Sequence, residues 1–158
     1  MKKVLFAAQL ILIGLMLSAC TAADASFVNK ANAVNSDIQA LRIPLAELTQ
    51  DVTFYDYDSD GIAMQVIARL QDDGTPRLAY NTCQVCAGSP RAYFEVQNDL
   101  LVCQNCGNMF RLDVIGMEGT GCMPIALTEF TVNGDDVEIA NETLDAMRGE
   151  FVNWKVGL

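Results

Sequence analysis

Five cysteines in the second half of the chain are spaced so that they can share one site. Cys83-Gln-Val-Cys86 and Cys103-Gln-Asn-Cys106 form C-x2-C-x16-C-x2-C, a spacing that suits four thiolates around one metal centre. Two residues between cysteines let both sulfurs of a tight turn point at one ion, and Gly107 after the second pair can adopt the positive φ that such a knuckle often requires. Cys122 follows 16 positions after Cys106, in Gly119-Thr120-Gly121-Cys122-Met123-Pro124, where glycines followed by proline make a rigid loop. It reads as a fifth ligand, a replacement ligand or a free redox thiol. The plainer reading of Cys122 is a small buried apolar side chain.

The chain of 158 residues contains no histidine. That excludes Ser-His-Asp and Cys-His catalysis, blue-copper sites, H-E-x-x-H zinc sites and Rieske clusters. Any chemistry left is thiolate chemistry. Iron, zinc and copper(I) all accept thiolates, and Met109, Met117 and Met123 add soft thioethers close in sequence to Cys106 and Cys122. A closed four-cysteine zinc staple is the bland alternative, and in an oxidising compartment each C-x-x-C pair can instead close as a disulfide. A thiol-disulfide oxidoreductase fits less well, because its C-x-x-C opens a helix in a βαβ setting that neither pair has.

The sixth cysteine, Cys20, belongs to a different pattern. Lys2 and Lys3 precede 14 largely apolar residues, Val4 to Leu17, too few for the roughly 20 that span a bilayer. Leu17-Ser18-Ala19-Cys20 then resembles a bacterial lipobox, which predicts cleavage of a signal peptide at 1–19 and lipidation of Cys20. Residues 20–35 read as the lipidated N-terminus and a tether, and 36–158 as the exported domain, with its cysteine site at 83–122. The expected location is the extracytoplasmic face of a bacterial membrane, either the periplasmic side or the cell surface, with the lipid bilayer reached through Cys20. With Cys20 taken by lipid, the odd number of remaining thiols cannot all pair as internal disulfides.

Charge narrows the partners. The chain has 10 basic and 20 acidic residues; loss of residues 1–19 removes Lys2 and Lys3, leaving 8 against 20 and a net charge of −12. That surface repels a phosphate backbone, so no nucleic-acid partner is expected and a basic protein partner suits better.

The elements that would position the thiols are short strands. Strand-like stretches at Val52–Tyr57, Ile62–Leu70, Arg77–Tyr80, Ala92–Val96, Leu100–Val102, Phe110–Ile115, Ile125–Val132 and Val137–Ala140 are punctuated by Gly, Pro, Asn and Asp. Pro44 forbids one continuous helix over Ile38–Leu48. Asn141 is placed to cap a C-terminal helix whose Leu144, Met147, Phe151 and Trp154 form a core-facing stripe, weakened by Gly149. The fold class predicted is mainly β (α+β): a single small domain of short antiparallel strands with a cysteine-rich knuckle module and a C-terminal helix. Asp56-Tyr57-Asp58-Ser59-Asp60-Gly61 imitates half of a calcium loop, but Ile67 stands where its bidentate Glu should be, so it reads as a hairpin turn.

The runs Leu78-Ala79-Tyr80-Asn81-Thr82-Cys83-Gln84-Val85-Cys86, Leu101–Phe110 and Gly121-Cys122-Met123-Pro124 together resemble the FtrD-like membrane iron-sulfur family. Its pattern has two C-x-x-C pairs, a phenylalanine after the second, and a closing G-G-C-x-P; Thr120 departs from the first glycine of that motif. The likeness extends roughly from Ile43 to Leu127. It implies an iron-sulfur cluster or iron as cofactor, electron transfer, and a membrane iron-transport or redox complex as partner. The family's members are often membrane-embedded, whereas this chain carries the domain on a lipoprotein. Its signal lacks twin arginines and so resembles the route that exports unfolded chains, which requires metal to enter after export.

Overall fold

The computed structural model describes residues 39–158; the expected signal peptide at 1–19, the expected lipidation site Cys20 and the expected tether at 20–35 lie outside the described residues. Among the described residues, ten strands form three antiparallel sheets. They are β1 (Ala40–Pro44), β2 (Thr53–Ser59), β3 (Ile62–Leu70), β4 (Pro76–Cys83), β5 (Phe94–Gln97), β6 (Leu100–Cys103), β7 (Met109–Arg111), β8 (Pro124–Leu127), β9 (Thr131–Asn133) and β10 (Asp136–Ala140). A four-stranded sheet runs β2-β3-β4-β8, one three-stranded sheet runs β1-β10-β9, and the other runs β5-β6-β7. The fold is mainly β with one short C-terminal helix, as the strand spacing predicted.

The four-stranded sheet is covered on both faces, and the alternation of its side chains shows how. Met64, Val66, Ala68, Leu78 and Tyr80 enter one core with Ile43, Val137, Ile139, Leu144, Phe151 and Trp154. Ile67 and Ala79 point the other way, into a second core with Phe94, Leu101, Ile115, Cys83 and Cys103. Because period-2 alternation sends successive residues to opposite faces, a strand buried on both must be nearly apolar throughout. From Leu78 to Cys83 every residue of β4 is buried. The second core therefore carries the cysteines, and the first anchors the sheet beneath them.

Hairpin chemistry sets the register. Asp60 and Gly61, both at positive φ (51° and 85°), turn β2 into β3, and the Gly61 N–H donates to the Asp58 carboxylate at 2.9 Å. The calcium-like run is thus a two-residue turn of the kind that matches strand twist. Asn98 and Asp99 do the same between β5 and β6, with φ of 50° and 61°.

Three sequence expectations need correction. The apolar stretch 125–132 divides into β8 and β9, because the chain leaves the four-stranded sheet there and joins the other core sheet. Phe110–Ile115 is strand only to Arg111; a 3-10 turn at Leu112–Val114 then delivers Ile115, 0% exposed, into the second core. Asn141 does not cap the helix. It is the first residue of α1 (Asn141–Asp145), and its N–H donates to the Gln39 carbonyl at 2.9 Å, closing the end of the β1–β10 ladder instead. The helix gives way to a 3-10 turn at Arg148–Phe151, around Gly149, yet Leu144, Phe151 and Trp154 are buried as the stripe required.

Candidate metal centre

Each C-x-x-C pair begins on the last residue of a strand. β4 ends at Cys83, where the Ala87 N–H returns to the Cys83 carbonyl at 2.9 Å; β6 ends at Cys103, where the Gly107 N–H returns to its carbonyl at 2.8 Å. Gly107 has φ of +76°, the left-handed conformation the sequence demanded of it. In both turns the first cysteine is buried and the second lies further out: Cys86 is half-buried and Cys106 exposed. The two turns are parts of one structure. Phe94 pairs with Cys103 across β5–β6, the Ser89 hydroxyl donates to Asn105 Oδ1 at 2.7 Å, and the Gln104 N–H donates to the Tyr93 carbonyl at 2.8 Å.

The loop carrying Cys122 is fixed to the first turn. Pro124 is the register partner of Cys83 beyond an irregularity in the β4–β8 ladder, and the Gln84 N–H donates to the Met123 carbonyl at 3.1 Å. A Cβ at Gly119 would meet only the flexible end of Met123, with Sδ at 2.5 Å, whereas Gly121 takes φ of +103°, the left-handed region that favours glycine. These constraints bring Cys122 in from a third direction.

All five sequence-predicted thiols meet. Cys122 Sγ lies 3.0 Å from Cys83 Sγ, 3.9 Å from Cys86 Sγ and 2.8 Å from Cys106 Sγ. The sulfurs of Cys83, Cys86, Cys103 and Cys122 all lie within 4.8 Å of one another. None of the five is in a disulfide. Met109 and Met117, the candidate soft thioethers, are 64% and 51% exposed on the surface.

The electrostatics divide the set. Burial pushes the Cys103 thiol up to about 12, against backbone N–H groups of Cys106 and Asn105 that favour its thiolate. Burial likewise raises Cys122, as does the hydrogen bond it gives Cys106, and burial raises Cys86. Cys106 goes the other way, down to about 7, held there chiefly by the hydrogen bond from Cys122 and then by the Asn108 N–H. Thiols crowded in a dry pocket resist ionising one another. A cation removes that repulsion and releases their protons, so metal binding and deprotonation are coupled here.

One supporting residue escaped sequence reasoning. Asn81, 0% exposed, accepts the Phe94 N–H on Oδ1 at 2.7 Å, donates to Gln65 Oε1 at 2.7 Å, and offers its own carbonyl to Trp154 Nε1 at 2.7 Å. It ties β4, which ends at Cys83, to β5, which pairs with the strand ending at Cys103. The signal available was an amide directly after the apolar run Leu78–Tyr80, since a buried amide must find partners.

The donor type fits iron and zinc alike. A tetrahedral ion with bonds of about 2.3 Å to sulfur sets its four thiolates about 3.8 Å apart, and the span of the four mutually close sulfurs matches a single ion. A multi-iron cluster interposes several irons and bridging sulfides between its thiolates and spreads them wider. The four sulfurs stand closer together than the thiolates of such a cluster.

A small β domain with two thiol turns and a third thiol loop defines a cysteine-rich protein able to hold a metal ion. The family described as "Membrane iron-sulfur containing protein FtrD-like" matches residues 48–151, and the chain belongs to that family. The match reaches past the thiols into the C-terminal segment that covers the first core. No curated protein matches the chain. Among the described residues, no helix is long and apolar enough to cross a membrane.

Proposed function

We propose that this protein is a membrane-tethered, extracytoplasmic iron protein that passes single electrons to or from a membrane complex engaged in iron handling. The observation that carries the reading is the convergence of five thiols on one point, in a chain of a family described as iron-sulfur containing. A single iron in four thiolates supplies a one-electron couple. The chain's own contribution is to hold those sulfurs on two strand ends and a pinned loop, so that little rearranges when charge changes. Burial of Cys83 and Cys103 over Phe94, Leu101 and Ile115 keeps water from the inner side. Lipid on Cys20 would hold the domain at the bilayer; acyl chains contribute about 0.8 kcal/mol per buried methylene.

A second reading has its own support. The same tight four-sulfur span suits zinc, which would staple the β5-β6-β7 sheet to the four-stranded sheet with no redox role. One experiment separates them: anaerobic recovery of the protein from its native membrane, with metal, acid-labile sulfide and visible absorption measured. One iron per chain, no labile sulfide and a visible band that bleaches on reduction are expected. Stoichiometric zinc without visible absorption would sink the electron-transfer reading.

A further inference from the structure

In sequence, the two C-x-x-C pairs look like the ligand set and Cys122 like the spare. The structure reverses two of these roles. The four sulfurs within mutual reach are Cys83, Cys86, Cys103 and Cys122, whereas Cys106 is the exposed member, joined through Cys122 at 2.8 Å. The position of Cys122 is built in: the Cys83–Pro124 pairing and the Gln84–Met123 hydrogen bond hold its loop against the Cys83 turn.

We propose that Cys83, Cys86, Cys103 and Cys122 hold a single ion and that Cys106 is the exchange thiol, through which the ion enters from and leaves to an outside thiolate carrier. The inference rests on the reading that these thiols bind metal, whichever metal it is. A tetrahedral ion has room for four sulfurs, so a fifth at contact distance is a ligand in waiting. Loading is then a series of swaps: Cys83, Cys86 and Cys103 each take the place of one carrier sulfur and pass their proton to it, and the fourth position is filled in two steps. Cys106 Sγ first forms the bond that the carrier's sulfur gives up, and its proton goes to the departing thiolate. Cys122 Sγ then takes the place of Cys106 Sγ, and its proton passes to Cys106. Each swap makes one metal–sulfur bond and breaks one, with no change of oxidation state and no oxidant.

Cobalt(II) is the probe, because its thiolate charge-transfer absorption counts sulfur ligands and does not depend on the native metal. The full chain is purified in detergent, stripped, and titrated with cobalt(II) alone; transfer from a cobalt–glutathione complex is then followed in time. Cys106→Ser should keep the full four-thiolate absorption yet accept cobalt from glutathione about tenfold more slowly, the scale on which changes near a metal's ligands act. Cys103→Ser should lose one thiolate's share of the absorption, whereas Cys122→Ser should keep Cys106 as its fourth thiolate and give cobalt up to a chelator more readily than the wild type. Because Cys106 is exposed, its variant tests the idea without a packing defect, and Trp154 fluorescence reports that each variant is folded. Loss of one thiolate's share of the absorption in Cys106→Ser would overturn the assignment, as would an unchanged transfer rate. A wild-type chain that binds no cobalt would overturn the metal reading itself.

Discussion

The indole Nε1–H of Trp154 donates to the backbone carbonyl of Asn81 at 2.7 Å, bonding the C-terminal segment to the strand two positions before Cys83. Trp154 also packs edge-on against Phe151 and Tyr93, so packing and hydrogen bonding can be separated by substitution. Trp154→Phe retains an aromatic ring and leaves the carbonyl without its donor; the expected loss is about 1–3 kcal/mol. Trp154→Ala adds a cavity and should cost about 3–5 kcal/mol. Urea unfolding of both variants checks the order; equal losses would mean the ring packing contributes nothing beyond the hydrogen bond.

Asn81 joins the two halves of the thiol site, so its substitution should affect metal binding as well as stability. Asn81→Ala leaves the buried Phe94 N–H without its acceptor and the half-buried Gln65 Oε1 without its donor. The expected destabilisation is about 1–3 kcal/mol. Because Phe94 pairs with Cys103, metal affinity should also fall, by about 10–100-fold, although no ligand has been touched. Chelator competition on the folded variant measures it, and an unchanged affinity would confine Asn81 to structural support.

What could be read from sequence and what could not divide along physical lines. Strand-and-turn spacing sufficed for β2, β3 and β6, because period-2 alternation and Asp-Gly or Asn-Asp turns are local signals. The split of 125–132 into β8 and β9 was not local: it follows from which sheets need an edge, a tertiary matter. Asn141 was misread for the same reason, since its backbone serves a ladder 102 residues away at Gln39. The thiols were legible because their spacing is itself the chemistry. Their division into four mutually close sulfurs and an exposed fifth was not, because it depends on the register of Pro124 against Cys83.

Gly107 offers a test of the second turn that leaves every sulfur in place. A Cβ there would meet no atom within 4 Å, so the cost of Gly107→Ala is confined to its φ of +76°. Holding an L-residue in the left-handed region costs roughly 1–2 kcal/mol. Gly107→Asn, which tolerates that region better, should recover part of the loss. Thermal unfolding of the pair gives the comparison; no difference between Ala and Asn would show that the turn had relaxed out of its left-handed geometry.

Cys106 and Cys103 should differ sharply in reactivity once metal is removed, because only the thiolate attacks an alkylating agent. Cys106 ionises near pH 7, below the usual thiol value of 9.0, so it should be labelled by iodoacetamide with a midpoint close to neutrality. Cys103, pushed up to about 12, should stay protected through the same range. The linkage has a definite sign. A thiol whose folded pKa is depressed adds stability that is present above pH 9 and is lost as pH falls through 7. The Cys106 contribution to the stability of the metal-free protein should therefore fall on acidification across that window, opposite in sign to that of the raised Cys103, and Cys106→Ser should remove it from the pH profile. Mass spectrometric mapping of labelled peptides at a series of pH values checks the reactivity, and preferential labelling of Cys103 at neutral pH would contradict it.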